Sequence, residues 1–152
     1  MVKSGGKWEM FLGHYYHTID EKNRVVIPSS FRGEISGKVY LTQGMEKCIF
    51  LYPEEVWDKL YQKITALSLT RKETREFSRF FLANASYLDI DGQGRIVIPD
   101  YLKNYAGINR QVVWVGVGER LEIWSEEIWR PYHEEMGKKF SELTEQIVDT
   151  GI

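Results

Sequence analysis

Cysteine is almost missing from this sequence, and Cys48 is the only one in its 152 residues. One thiol can form neither a disulfide within the chain nor a cysteine-based zinc cluster, and such usage is typical of a reducing compartment. Nothing near Cys48 in the sequence marks it as an activated nucleophile. We therefore predict a buried structural thiol.

Long apolar runs are missing as well. No segment approaches the length of a membrane span, and the N-terminus lacks the apolar stretch of a signal peptide. With 43% hydrophobic and 28% charged residues, the composition is typical of a soluble globular protein of one domain or two small ones. We expect a cytoplasmic protein with no membrane partner.

The chain has no excess of positive charge, since its net charge is −2. The negative charge is concentrated at the C-terminus: residues 119–152 carry −5, residues 1–9 carry +1, and residues 10–118 are left with +2. Binding follows the local field rather than the total charge. This distribution therefore does not exclude a nucleic-acid partner.

What the sequence does contain is an internal repeat. Residues 19–28 read I-D-E-K-N-R-V-V-I-P, residues 90–99 read I-D-G-Q-G-R-I-V-I-P, and six of the ten positions are identical at an offset of 71. A second block, residues 44–57, corresponds to residues 116–129 at an offset of 72. Two matched blocks in the same order indicate a tandem duplication.

Each half is predicted to contain a strand, a tight turn, a strand, a short connection, a strand pair and a helix. Residues 15–19 and 24–27 are β-rich runs on either side of a polar loop, which is the pattern of a hairpin. Each half is near the size below which modules seldom fold alone. We expect the halves to interleave around one pseudo-twofold core, in a fold that is mainly β with helices (α+β).

The two turns share their structural residues. Asp20 and Asp91 open the turns, where a carboxylate can accept backbone N–H bonds and fix the loop. Asn23 and Gly94 occupy the same place in the two loops, and both residue types accept a positive φ readily. We predict a left-handed conformation at both positions.

Two further segments are predicted to be amphipathic helices. Thr70 and Glu73 form a capping-box pattern ahead of the first. Its apolar face holds Phe77, Phe80 and Phe81, and its basic face holds Arg71, Lys72, Arg75 and Arg79. This basic face is either solvated, or it contacts DNA or the acidic C-terminus of another subunit. In the second helix Met136, Phe140, Leu143 and Ile147 share a face, which suits core packing or an oligomer contact.

The stretch M-F-L-G-H-Y-Y-H-T-I-D-E-K-N-R-V-V-I-P from Met10, with the second I-D-G-Q-G-R-I-V-I-P, closely resembles the MraZ family. That resemblance covers roughly residues 10–145 and implies a pseudo-twofold β-barrel built from two tandem AbrB-like swapped-hairpin modules. The family usually has Gly where this chain has Asn23, which tolerates the same backbone. The implied division is 1–9 as a tag or extended start, 10–62 as the first module, 63–81 as a connecting helix, 82–130 as the second module, and 131–152 as a C-terminal amphipathic helix.

The resemblance also implies a function. Members of the family are transcriptional regulators of the division and cell-wall gene cluster, and they bind repeated promoter boxes as ring-shaped oligomers. The expected partners are double-stranded promoter DNA and further copies of the chain, in the cytoplasm and on the nucleoid. No cofactor and no small-molecule substrate is expected.

Three basic residues are the candidate DNA contacts. Arg24 and Arg95 close the repeated Asp-x-x-x-Arg motifs, and an arginine fork can bind phosphate, or guanine O6 and N7, with two hydrogen bonds. Lys22 offers a point charge for phosphate, whereas the second copy has Gln93. We therefore expect the first turn to be the stronger DNA contact. The alternative is an Asp–Arg pair that only stiffens each turn.

Other function classes have little support. Asp20 and Asp91 resemble a pair of protease aspartates, but no Thr or Ser follows them, and the D-T-G triplet at 149–151 occurs once beside the C-terminus. No enzyme and no catalytic residue is therefore predicted.

No metal site is predicted either, because His14, His17 and His133 have no carboxylate cluster to complete a ligand set. The remaining alternative is an AbrB-like antitoxin or a protein-interaction module.

Overall fold

A computed structural model of the chain describes residues 2–4, 7–35 and 37–147, with side chains from residue 10 onward. The strands are β1 (Val2–Ser4), β2 (Lys7–Glu9), β3 (Phe11–Thr18), β4 (Arg24–Val26), β5 (Lys38–Gln43), β6 (Ile49–Pro53), β7 (Ser86–Asp89), β8 (Arg95–Val97), β9 (Gln111–Gly118) and β10 (Arg120–Ser125). The helices are α1 (Ser29–Arg32), α2 (Glu54–Thr65), α3 (Lys72–Ala83), α4 (Asp100–Tyr105) and α5 (Glu126–Gln146).

Six strands form one antiparallel sheet in the order β3-β9-β10-β6-β5-β7. Under the sequence repeat β3 corresponds to β7, β9 to β5, and β10 to β6, so the order reads the same from both ends. At the centre, Leu121 lies opposite Leu51 and Ile123 opposite Ile49. Each half therefore adds its first strand to the strand pair of the other half.

The remaining two strands of the repeat form a separate ribbon. β4 pairs antiparallel with β8, with Arg24 opposite Val97, Val25 opposite Ile96, and Val26 opposite Arg95. The sequence predicted that β3 and β4 would pair as a hairpin, and that prediction is wrong. The turn does bend the chain, but β4 leaves β3 and pairs across the repeat, because turn chemistry fixes a bend without fixing the partner of a three-residue strand.

Two hydrophobic cores lie on opposite faces of the six-stranded sheet. The core beneath the β4–β8 ribbon contains Val25 and Ile96 from the ribbon, Ile27 and Ile98 directly after its two strands, and Leu41, Leu51, Trp114, Leu121 and Ile123 from the sheet. The core beneath the long helices α2, α3 and α5 contains Phe50, Tyr52, Trp57, Phe81, Val113, Trp124 and Trp129. Because both faces of β6 are covered, all five of its residues are buried.

Cys48 belongs to the second core and is fully buried. Burial raises the pKa of its thiol well above the ordinary value. Its Sγ lies 3.0 Å from the carbonyl oxygen of Met45. The prediction of a buried structural thiol is confirmed.

The helix ends differ from the sequence predictions in two places. α3 begins after Arg71 without a side-chain cap, so the capping box at Thr70 is wrong. The Thr70 hydroxyl instead shares a 2.8 Å hydrogen bond with Ser68. The sequence also predicts Pro53 at the first helical position of the helix that follows β6, but the structure has Pro53 as the N-cap residue of α2. The short helices α1 and α4, which follow Pro28 and Pro99, were not predicted.

The mixed α+β class is confirmed, with a mostly antiparallel sheet. The pairings of the described strands do not close this sheet into a barrel, so the pseudo-twofold barrel stays a prediction. Residues 148–152, which include the D-T-G triplet and the end of the predicted C-terminal helix, lie outside the described residues. Among the described helices, none has both the length and the apolar character required to cross a membrane.

Candidate nucleic-acid interface

The first turn is organised by the carboxylate of Asp20. Its Oδ1 accepts the backbone N–H groups of Lys22 and Arg24, each at 2.9 Å, and its Oδ2 accepts the Nε–H of Arg24 at 2.7 Å. Asn23 has a φ of 61°, in the left-handed region. The turn is closed by the Asp20 N–H, which donates to the Arg24 carbonyl at 3.0 Å.

The second turn repeats this arrangement atom for atom. Asp91 Oδ1 accepts the N–H groups of Gln93 and Arg95, each at 2.8 Å, and Oδ2 accepts the Arg95 Nε–H at 2.8 Å. Gly94 takes the left-handed position with a φ of 77°. The doubled Asp-x-x-x-Arg motif is therefore one local structure built twice.

Both carboxylates are held in the charged form. The backbone N–H of Arg24 lowers the pKa of Asp20, outweighing partial desolvation, and the Arg24 guanidinium and the Lys22 N–H lower it further. The pKa of Asp91 is lowered by the corresponding groups of Arg95 and Gln93. Each arginine is therefore paired with an ionised partner at neutral pH.

The Asp–Arg pairing involves only one of the three nitrogens of each guanidinium. Only Nε of Arg24 and of Arg95 is bonded, and their terminal Nη1 and Nη2 groups make no hydrogen bond to the described residues. The two side chains are 33% and 26% exposed. The carboxylate thus fixes the plane of the guanidinium and leaves two parallel donors for a ligand, which makes turn stiffening and ligand contact compatible roles.

The two arginines lie on the same face of the β4–β8 ribbon. Side chains alternate along each strand, so buried Val25 and Ile96 face the core, while the arginines share the outer face with two valines. Diagonal neighbours on an antiparallel pair have Cα atoms about 7–8 Å apart. Arg24 and Arg95 therefore form one surface, although 71 residues separate them in sequence.

Comparison with known proteins identifies the family. The model of a family described as MraZ protein, antitoxin-like, matches residues 10–80 and again residues 81–150. The chain belongs to the MraZ family. The resemblance inferred from the sequence is confirmed at this level.

Relatives of this MraZ-family chain are similar over nearly its whole length. The transcriptional regulator MraZ of Syntrophomonas wolfei is 48% identical over 143 residues, which covers 94% of this chain and all of the relative. The proteins of that name from Thermoanaerobacter pseudethanolicus and Moorella thermoacetica are 44% and 43% identical, with the same coverage. These relatives are named as transcriptional regulators, not as enzymes.

Sequence reasoning missed three residues at the two turns, and each comes from the half of the repeat that does not contain the turn it approaches. The Asn23 amide donates to the Asp100 carboxylate at 2.6 Å, and Lys103 Nζ donates to the Asn23 carbonyl oxygen at 3.0 Å. At the second turn, a Cβ on Gly94 would lie 2.5 Å from Nη1 of Arg32. Lys103 and Arg32 correspond at the offset of 71, so the repeat itself could have indicated them.

The structure brings His14 close to His133, although the two are far apart in sequence. The rings of His14 and His133 lie 5.2 Å apart, and His14 also packs against Trp129. Burial, with a smaller contribution from Arg32, lowers the pKa of His17. Across the described residues, no group of three or more His, Cys, Asp or Glu side chains is arranged to hold a metal ion.

Proposed function

We propose that this chain is a sequence-specific regulator that binds double-stranded promoter DNA through the outer face of the β4–β8 ribbon. The observation that carries the proposal is the matched pair of arginines. Each is fixed at Nε by an ionised aspartate, and its terminal nitrogens bond to none of the described residues. Neither a cofactor nor a small-molecule substrate has a part in this function.

The chemistry of the pair suits base recognition. Two parallel N–H groups match O6 and N7 of guanine in the major groove, and they also match two phosphate oxygens. Because Asp20 and Asp91 fix the guanidinium planes beforehand, less side-chain entropy is lost on binding. Lys22, which is exposed and has Gln93 as its counterpart, makes the first turn the stronger phosphate contact.

The proposed target is the promoter of the division and cell-wall gene cluster, where repeated boxes are bound on the nucleoid. Support comes from membership of the MraZ family and from relatives named as transcriptional regulators. The proposed division of the chain into a start (1–9), two modules (10–62 and 82–130), a connecting helix (63–81) and a C-terminal helix (131–152) belongs to the same proposal.

A ring of subunits is part of the proposal. Phe140 on α5 is 70% exposed, Ile147 directly after the end of α5 is 59% exposed, and Phe80 on α3 is 62% exposed. Apolar side chains of this size tend to mark contact surfaces when they cluster. A single weakly charged chain gains little affinity from phosphate contacts alone. In an oligomer, once one module is bound to DNA, the next module meets its own DNA box at a high effective concentration.

An electrophoretic mobility-shift titration tests the proposal. The DNA is the region upstream of the chain's own gene, compared with a scrambled fragment of equal length at two salt concentrations. Arg24→Ala should weaken specific binding roughly ten-fold or more, since a bidentate pair contributes about 1–3 kcal/mol. Arg95→Ala should have a smaller effect, and Lys63→Ala on α2, the matched control behind the opposite face of the sheet, should have none.

Two results would contradict the proposal. One is wild-type binding that shows no preference for the upstream fragment and no dependence on salt, which would favour an AbrB-like antitoxin or a protein-interaction module. The other is equal affinity of the wild type and Arg24→Ala, which would leave the Asp–Arg pair with only its turn-stiffening role.

A further inference from the structure

The outer face of the β4–β8 ribbon exposes two valines beside its two arginines. Val97 is 52% exposed and Val26 is half-buried, although their neighbours Val25 and Ile96 in the same strands are fully buried. A β-branched apolar side chain on the outer face adds nothing to the core beneath the ribbon. Its position between two arginines instead suits a ligand that carries both polar and apolar groups.

We propose that Val26 and Val97 contribute to sequence specificity, by contacting the C5-methyl groups of thymines in the major groove. This inference rests on the proposed function and deepens it, because it assigns the ribbon an apolar contact in addition to its arginine donors. The thymine methyl is the apolar group that base-pair edges present in the major groove. Valine offers methyl groups and no hydrogen bond, so this is the base feature it suits.

The dimensions of the ribbon support this contact. The major groove is about 12 Å wide and admits a two-stranded β-ribbon. Paired strands lie about 4.8 Å apart, so both fit within the groove walls. The long helices cover the opposite face of the six-stranded sheet, so they do not obstruct the approach of DNA to the ribbon.

The register of the ribbon groups the four side chains in two pairs. Arg24 lies opposite Val97, and Arg95 lies opposite Val26. Directly opposite residues have Cβ atoms about 4.5–5.5 Å apart. The two pairs are separated by two residues along the strand, about 6.8 Å, which is close to two base steps of about 3.4 Å. Each pair is therefore placed to contact one guanine and one nearby thymine methyl.

A test of this inference removes the methyl groups without knowledge of the operator. The upstream fragment is amplified once with dTTP and once with dUTP, which gives the same sequence with and without C5-methyl groups. Dissociation constants for both DNAs are measured with the wild type, Val26→Ala/Val97→Ala, Arg24→Ala and the control Val117→Ala, a half-exposed valine on β9. Thermal unfolding of each variant verifies that it is folded.

The wild type should bind the uracil DNA about four-fold more weakly per methyl contact, as expected for the burial of one methyl-sized group. The double valine variant should lose a similar factor on thymine DNA, and it should lose little more when the methyl groups are removed. Val117→Ala should keep the full methyl effect.

Two outcomes would overturn the inference: equal binding of both DNAs by the wild type, or an undiminished methyl effect in the double valine variant. Failure of the proposed function looks different. In that case Arg24→Ala binds thymine DNA as tightly as the wild type. If the inference alone fails, Arg24→Ala still loses affinity on both DNAs.

Discussion

At the scale of a single residue, each of the two repeated aspartates stabilises its turn and also orients an arginine side chain. One carboxylate oxygen of Asp20 orders the loop through two backbone N–H groups, and the other holds the Arg24 side chain. Asp91 does the same for Arg95. Replacing either aspartate therefore disturbs both the loop and the arginine, which makes the arginines the cleaner targets for functional variants.

Gly94 provides a stability prediction. Gly94→Ala should lower the free energy of unfolding by about 1–2 kcal/mol, because an L-residue is strained at its φ of 77°. Arg32 would also have to move, since its Nη1 lies 2.5 Å from the new Cβ. Chemical denaturation measures the loss. Gly92→Ala in the same turn, where a Cβ meets no atom of the described residues within 4 Å, is the control and should be close to neutral.

The aspartate pKa values predict a dependence on pH. The folded pKa of both carboxyls lies below the ordinary 3.8, so their stabilising effect is present above pH 3.8 and is lost as the pH falls through the folded pKa. The double variant Asp20→Asn/Asp91→Asn should melt below the wild type at pH 7, and the difference should shrink towards pH 2. Melting curves across this range would contradict the assignment if the difference stayed constant.

At the scale of an element, the β4–β8 ribbon has a buried face and, on the other side of the same three-residue strands, the proposed DNA-binding face. Ile96→Ala should lower the free energy of unfolding by about 2–5 kcal/mol, because Ile96 is fully buried under the ribbon. Val97→Ala, the adjacent position on the outer face, should leave the stability nearly unchanged. Denaturant titrations of the pair test this, and similar losses for both would mean that the outer face is covered.

The elements also show how far the sequence could predict the fold. The repeat, the two strand pairs, and the left-handed positions Asn23 and Gly94 follow from local chemistry and self-similarity. The partner of β4 does not, because a three-residue strand has too little pattern to select between β3 and β8. The Thr70 capping box failed because Ser68 competes for its hydroxyl. In the candidate site, the Asp–Arg spacing could be predicted from the sequence. The repeat also relates Lys103 to Arg32, but their contacts with the turns depend on the fold.

At the scale of the whole molecule, exposed apolar side chains on α3 and α5 support the proposed assembly. Phe140→Glu should dissociate the proposed oligomer, and it should weaken promoter binding several-fold or more while the Arg24 turn stays intact. Sedimentation velocity measures the assembly, and DNA titration measures the affinity. Ser141→Glu adds the same charge at the next position of the helix and should change neither. A dissociated variant that binds as tightly as the wild type would contradict the role of avidity.

The two halves of the duplication differ at a few equivalent positions. Both halves contain the same turn and the same ribbon strand, but Lys22 of the first turn corresponds to Gln93 of the second. The Asn23 side chain is hydrogen-bonded to Lys103, whereas the equivalent Gly94 has no side chain. Two copies of one scaffold can therefore diverge in DNA contact while the fold stays common to both.

The measurement closest to the central claim is the specificity ratio, the affinity for the upstream fragment divided by that for a scrambled one. Arg24→Lys/Arg95→Lys keeps both charges but removes the planar forks that Asp20 and Asp91 hold. We predict that this variant keeps the non-specific affinity and its dependence on salt, while its specificity ratio falls at least roughly ten-fold. An unchanged ratio would contradict the claim that the paired arginines read the DNA sequence.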